Sequence, residues 1–314
     1  MTSTDISNNK SNNSLDTLNT YIEALIDNLD KEKLPKNIDL IIDGGAFNGA
    51  FACGAAIYLK NLEKLKLLKI DRISGCSIGA ILAVIYLTDT FAINIPMFEE
   101  ILTSFRETIF LDKLSKIIHE VVNISVSNLD NLNDKLFITY YDVTTMKQVI
   151  VSKYKSKEEL IEILIRSSYI PFITDGKLQY QNKFCDGCCP YMFHKTNNKV
   201  LFIFLMTKKK IKHMFCTNNE TNLWSRLLNG VVDINNFFSG SDSDLCSYMN
   251  NWTILDFSII RIREMLIVIL IFIIKSAVFV NDNIPDNIKN NIYLSRFQEI
   301  LISLYKDIFS YMIL

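Results

Sequence analysis

Glycine is scarce in this chain, 10 residues among 314, and histidine scarcer, at three. So few glycines make a local cluster of them informative. So few histidines leave little choice for any reaction built on imidazole. The seven cysteines lack the two knuckles that a zinc site draws on: Cys185, Cys188 and Cys189 cluster near His194, while Cys53, Cys76, Cys216 and Cys246 stand apart. No metal and no cofactor is expected. Their odd number and the lack of a disulfide-like framework point to a reducing compartment. No positively charged segment followed by an apolar one opens the sequence, so the expected location is intracellular, cytoplasmic or peripheral to a membrane. A net charge of −1 argues against nucleic acid as the main partner. There is no internal repeat. With 49% hydrophobic residues, 314 positions suffice for one large core, alone or with an appendage.

Against that background Gly75-Cys76-Ser77-Ile78-Gly79 stands out, because an apolar strand (Ile70–Ser74) leads into it and a small-residue helix (Ala80–Leu87) leaves it. A serine on a sharp strand-to-helix turn has its oxygen pushed out at the edge of a sheet. Glycines on either side allow a turn that a β-carbon would obstruct. A second such unit lies upstream. The apolar run Asp39–Ile42 ends in Asp43-Gly44-Gly45-Ala46-Phe47-Asn48-Gly49, and Ala50–Leu59 then reads as a helix. Strand, glycine turn and helix N-terminus together aim backbone N–H groups at an anion, either a phosphate or an oxyanion formed during reaction. The G-x-A-x-x-G spacing with no acidic strand end about twenty residues on speaks against a dinucleotide.

Downstream, Leu160–Ser168 is helical in pattern and stops before Pro171. Ile173–Asp186 reads as a hairpin turning at Asp175-Gly176, its returning strand ending in Asp186-Gly187. Of the two Asp-Gly pairs, the second lies at a strand end, where open α/β sheets carry their chemistry, so Asp186 is the candidate acid.

These three pieces in order resemble the patatin-like phospholipase family: the glycine loop Asp43–Gly49, the serine pentapeptide Gly75–Gly79 and the pair Asp186-Gly187. The stretches Ile73–Ala80, Arg166–Pro171 and Lys199–Lys208 agree with it, and the resemblance spans about residues 36 to 210. It implies a three-layer α/β/α fold with a mostly parallel central sheet. It also implies a Ser77–Asp186 dyad that cleaves acyl esters of phospholipids or other acyl lipids through an acyl-serine. Gly44, Gly45, Ala46 and Ile78 would supply the oxyanion hole, with Gly49, Gly75, Gly79 and Gly187 supporting the motifs. Burial should raise the Asp186 pKa so that it can act as a base. Two departures stand out: Ala46 replaces a third glycine and Asn48 replaces a lysine or arginine. They motivate the alternative of an inactive scaffold that binds lipid or a protein partner. A Ser-Asp-His triad is the chemical rival, with only His194 and His213 following the acid in the chain.

The expected organisation is a disordered polar tail (1–19), a catalytic domain (20–210) and a helical C-terminal extension (211–314). Tyr21–Leu29 reads as an amphipathic helix and Asp89–Leu132 as helical. Leu136–Tyr141 and Gln148–Lys153 read as paired strands about a turn at Thr144–Lys147. Met265–Ile274 is ten consecutive apolar residues, continued by Ser276–Val280 after Lys275. A spanning helix wants about 20, so the readings are core packing, an interfacial helix, or a membrane segment around Met265–Val280. A membrane surface is an expected partner, with the basic run Lys208–His213 as one attraction to anionic headgroups.

Overall fold

A computed structural model describes residues 3–283, apart from 195, 218, 219 and 221, and scattered positions between 296 and 311. Leu15, Leu18, Ile22 and Ile26 recur at helical spacing and are buried, drawing the first segment into α1 (Ser3–Asp27). Helix therefore occupies most of the span whose composition reads as a tail. Once the apolar stripe has nucleated the helix, each further turn forms without a new nucleus.

Chain order then runs β1 (Asn37–Ile42), α2 (Gly49–Lys64), β2 (Lys69–Cys76), α3 (Ile78–Thr88), α4 (Phe91–Thr108) and α5 (Leu114–Ser125). It continues through β3 (Leu136–Asp142), β4 (Lys147–Val151), α6 (Lys157–Ser167), β5 (Phe184–Asp186), β6 (Lys199–Ile203), α7 (Trp224–Phe238) and β7 (Cys246–Tyr248). The sheet order is β4-β3-β2-β1-β6-β7. The four middle strands are parallel and both edge strands antiparallel, in a sheet flanked by helices, as the α/β reading expects. Central placement explains why β1 is buried almost throughout: five of its six residues are buried, four of them apolar. One buried acid, Asp39, is held by the Arg72 guanidinium (Oδ2 at 2.5 Å) and by Thr196 and Asn198.

β5 lies off the main path and pairs with β3. On β3, residues 136–139 face β2 and residues 140–142 face β5, while β4 covers the opposite edge. β2 and β5 therefore approach along one edge of β3 from opposite directions and meet tip to tip. Cys76 stands opposite Thr139, and Asp186 opposite Tyr140.

The hairpin expected over Ile173–Asp186 does not form. Residues 171–175 are turns, and the returning strand is reduced to three residues plus a bridge between Tyr180 and Phe184. Asp175 accepts hydrogen bonds from the Tyr169 hydroxyl and the Lys177 N–H, which folds it into a local loop instead.

Two compact units divide the chain. The first holds residues 1–214 and 221–252, so α7 and β7 belong with the sheet and not with the helical extension expected from residue 211. The second holds 215–220 and 253–314. Its helix α8 (Ile254–Asn283) starts at a capping box, with Thr253 and Asp256 exchanging backbone and side-chain hydrogen bonds. Among the described residues no helix is long and apolar enough to cross a membrane, so the spanning reading of Met265–Val280 gains no support. Its ten-residue apolar run is half the length required, and Lys275 interrupts it.

Candidate active site

Ser77 closes β2 and opens α3 with a left-handed backbone (φ 53°, ψ −132°). A non-glycine residue here is strained, and the surroundings hold it in place. The Ser77 N–H donates to Ser167 Oγ (3.0 Å), whose hydroxyl donates in turn to the Thr139 carbonyl (2.7 Å). The flanking glycines are required by close approach. A β-carbon at Gly75 would lie 2.5 Å from the Gly79 carbonyl oxygen, and one at Gly79 would lie 2.5 Å from that of Ile42.

Asp186 arrives at the tip of β5. Its N–H donates to the Tyr169 carbonyl (2.8 Å), and the next N–H, of Gly187, donates to the Ser167 carbonyl (3.2 Å). The structure thus brings Ser77 and Asp186 together: the Ser77 hydroxyl stands close enough to the Asp186 carboxylate to favour its charged form, and the carboxylate accepts from the Cys188 N–H at 2.7 Å. Burial pushes the Asp186 carboxyl up to about 6; the neighbouring Ser77 and Cys188 pull it down and the nearby charge of Asp43 adds to the rise. None of the groups that chiefly shift this carboxyl is a histidine. His194 is exposed, and His213 offers its backbone carbonyl to Arg226. Among the described residues no cluster of three His, Cys, Asp or Glu groups could hold a metal. Cys185 and Cys189 are buried, and Cys188 is a thiol whose pKa burial drives far up.

On the other side of β2 lies the glycine loop. Asp43, fully buried, accepts from the Gly44 N–H (3.0 Å) and from the Leu205 N–H. Gly44 is therefore committed within the loop and has no N–H to offer an oxyanion, which corrects its expected role. Among the described residues the N–H groups of Gly45, Ala46 and Ile78 make no hydrogen bond. Ala46 adopts φ 46°, the left-handed conformation that costs a residue with a β-carbon about 1–2 kcal/mol.

Asn48 is fully buried, and both of its side-chain donors are spent, on the carbonyls of Leu205 (2.9 Å) and Lys210 (2.8 Å). Its oxygen accepts from Arg226 of α7, a buried guanidinium that also donates to the His213 carbonyl at 2.8 Å. A cation does stand behind this loop, delivered from far along the sequence. Nothing in the local motif foretells Arg226.

Ser77 opens onto a pocket of about 810 Å³, counting the part open to solvent. Its walls are largely apolar, with Phe47, Ile81, Leu82, Phe98, Leu114 and Leu227 prominent among them. The acidic side chain in this wall is Glu99, whose pKa burial raises while neighbouring Trp224 opposes the rise.

Residues 40–137 match the family model of the patatin-like phospholipases. That segment is patatin-like. It contains the end of β1, the glycine loop and Ser77, and stops short of Asp186. Among solved structures, VipD from Legionella pneumophila is similar at 12% identity and a TM-score of 0.34, over 53% of this chain and 49% of that one. The chain thus spans about half the length of that relative. No curated protein matches.

Proposed function

We propose that the chain hydrolyses acyl esters of lipids through a Ser77–Asp186 dyad. The observation carrying this reading is the meeting of two buried groups, the Ser77 hydroxyl and the Asp186 carboxyl, beside an apolar pocket, with the carboxyl pushed up to about 6. A serine hydroxyl attacks poorly until a base takes its proton, and a carboxylate of raised pKa is a better base than an exposed one. The acyl chain occupies the pocket. Asp186 takes the hydroxyl proton as Ser77 Oγ bonds to the ester carbon. The N–H groups of Gly45, Ala46 and Ile78 hold the resulting oxyanion. Collapse breaks the bond to the alkoxy oxygen, which leaves with the proton from Asp186. Water, deprotonated by Asp186, then cleaves the acyl-serine. Phospholipid is the first candidate substrate.

The membrane surface as partner rests on exposed apolar side chains of α8, among them Leu255, Ile259, Leu266 and Phe272. Co-sedimentation with phospholipid vesicles tests it, and a chain that stays in the supernatant refutes it.

The strained Ala46 and the committed Gly44 favour a second reading, a lipid-binding scaffold without turnover. A fluorophosphonate probe separates the two. Labelling of the wild type that is lost in Ser77→Ala and strongly slowed in Asp186→Ala is expected for the enzyme. An unlabelled wild type supports the scaffold.

A further inference from the structure

Between the two halves of the dyad runs the segment Ser167-Ser168-Tyr169, fastened on both sides. Ser167 Oγ holds the Ser77 N–H, while the carbonyls of Ser167 and Tyr169 hold the N–H groups of Gly187 and Asp186. Ser168 is caught in the middle. It is 2% exposed, it lines the same pocket as Ser77, and its hydroxyl has no hydrogen-bond partner among the described residues. A serine at the end of a helix ordinarily turns its hydroxyl back onto a carbonyl of the preceding turn. Here the carbonyls of Leu164 and Ile165 receive the Ser168 backbone N–H instead, at 3.0 and 3.2 Å. Neighbouring Ser167, by contrast, uses its hydroxyl fully. An unsatisfied buried hydroxyl costs free energy and calls for an explanation, and on a residue that lines a pocket the explanation to test first is what the pocket binds.

We propose that the Ser168 hydroxyl donates a hydrogen bond to the alkoxy oxygen of the substrate ester, the oxygen that departs. This rests on the dyad reading above. The choice between the two ester oxygens follows from the sheet order. The loop carrying Gly45 and Ala46 follows β1, on one side of β2, and claims the carbonyl oxygen. Asp186 and Ser168 lie on the β3 side. The departing oxygen takes its proton from Asp186 and so must face that side as well. As the bond to carbon breaks, negative charge builds on this oxygen and the hydrogen bond to it strengthens.

The test compares wild type and Ser168→Ala on a long-chain monoacylglycerol and on its thioester analogue, whose departing sulfur is a weak acceptor. Ser168→Ala is expected to lower kcat about tenfold on the oxygen ester, with KM little changed, and less than about twofold on the thioester. Its melting temperature should equal or exceed that of the wild type, because the deleted group has no partner within the fold. Equal losses on the two substrates, no loss on either, or a destabilised variant would overturn the proposal. Fluorophosphonate labelling of wild-type Ser77 is run alongside: if it fails, the dyad reading falls, whereas labelling with equal losses removes only the role given to Ser168.

Discussion

Replacing Asp186 by asparagine should extinguish turnover and make the protein more stable at neutral pH. The carboxyl titrates at about 6 in the fold, against an ordinary value of 3.8, chiefly because burial disfavours its charge. Between roughly pH 4 and 6 the native state retains a proton that the unfolded chain has released. Stability therefore falls as pH rises through that window, and above it the loss is complete. At about 1.36 kcal/mol per pKa unit, ionised Asp186 costs the native state on the order of 3 kcal/mol at pH 7.5. Asparagine keeps the shape and an oxygen for the Cys188 N–H, and never ionises. Thermal melts of both proteins at pH 7.5 and pH 4 read the effect. Asp186→Asn is expected to raise Tm by roughly 6–12 °C at the higher pH, with the difference vanishing at the lower. An unchanged or lowered Tm at pH 7.5, or a gain of the same size at pH 4, would refute the reasoning.

The same carboxyl should govern rate: kcat/KM is expected to climb about tenfold per pH unit up to about pH 6 and then level off. His194→Gln and His213→Gln should leave that profile in place, and a profile altered by either would move the case to a triad. Arg226→Met should cost about 2–4 kcal/mol and depress turnover, since it strands the buried Asn48 oxygen and the His213 carbonyl behind the glycine loop. Wild-type Tm and rate in that variant would deny Arg226 its part in holding the loop. Leu82→Trp should fill the pocket, reducing turnover of palmitoyl esters at least about tenfold while sparing acetyl esters; equal losses on both would mean that the acyl chain lies elsewhere.

What could be read from the sequence was local. β1, the glycine loop, β2 and the turn at Ser77 announce themselves because an apolar run, small residues and a helix follow one another within a few positions. Asp186 was legible because an Asp-Gly pair ends an apolar stretch, although the hairpin drawn around it was not: Asp175 bonds to the Tyr169 hydroxyl, and no pattern of alternation reports that. The rest depends on tertiary contact. Arg226 reaches Asn48 across most of the chain. The Gly44 N–H is consumed by its own neighbour, which the motif cannot reveal. Ser167 and Ser168 are adjacent and chemically identical, yet one is a fully bonded strut and the other an orphan. Only their surroundings tell them apart. The helical start of α1 likewise follows from side chains that pack beyond the polar stretch.

The tip-to-tip meeting of β2 and β5 bears on how such a protein is made. On the reading proposed here, the attacking alcohol leaves the ribosome long before its carboxylate partner does. Until β5 has emerged and docked on β3, that alcohol is chemically ordinary. If that reading holds, the nascent chain is inert toward lipid esters until the second strand tip arrives.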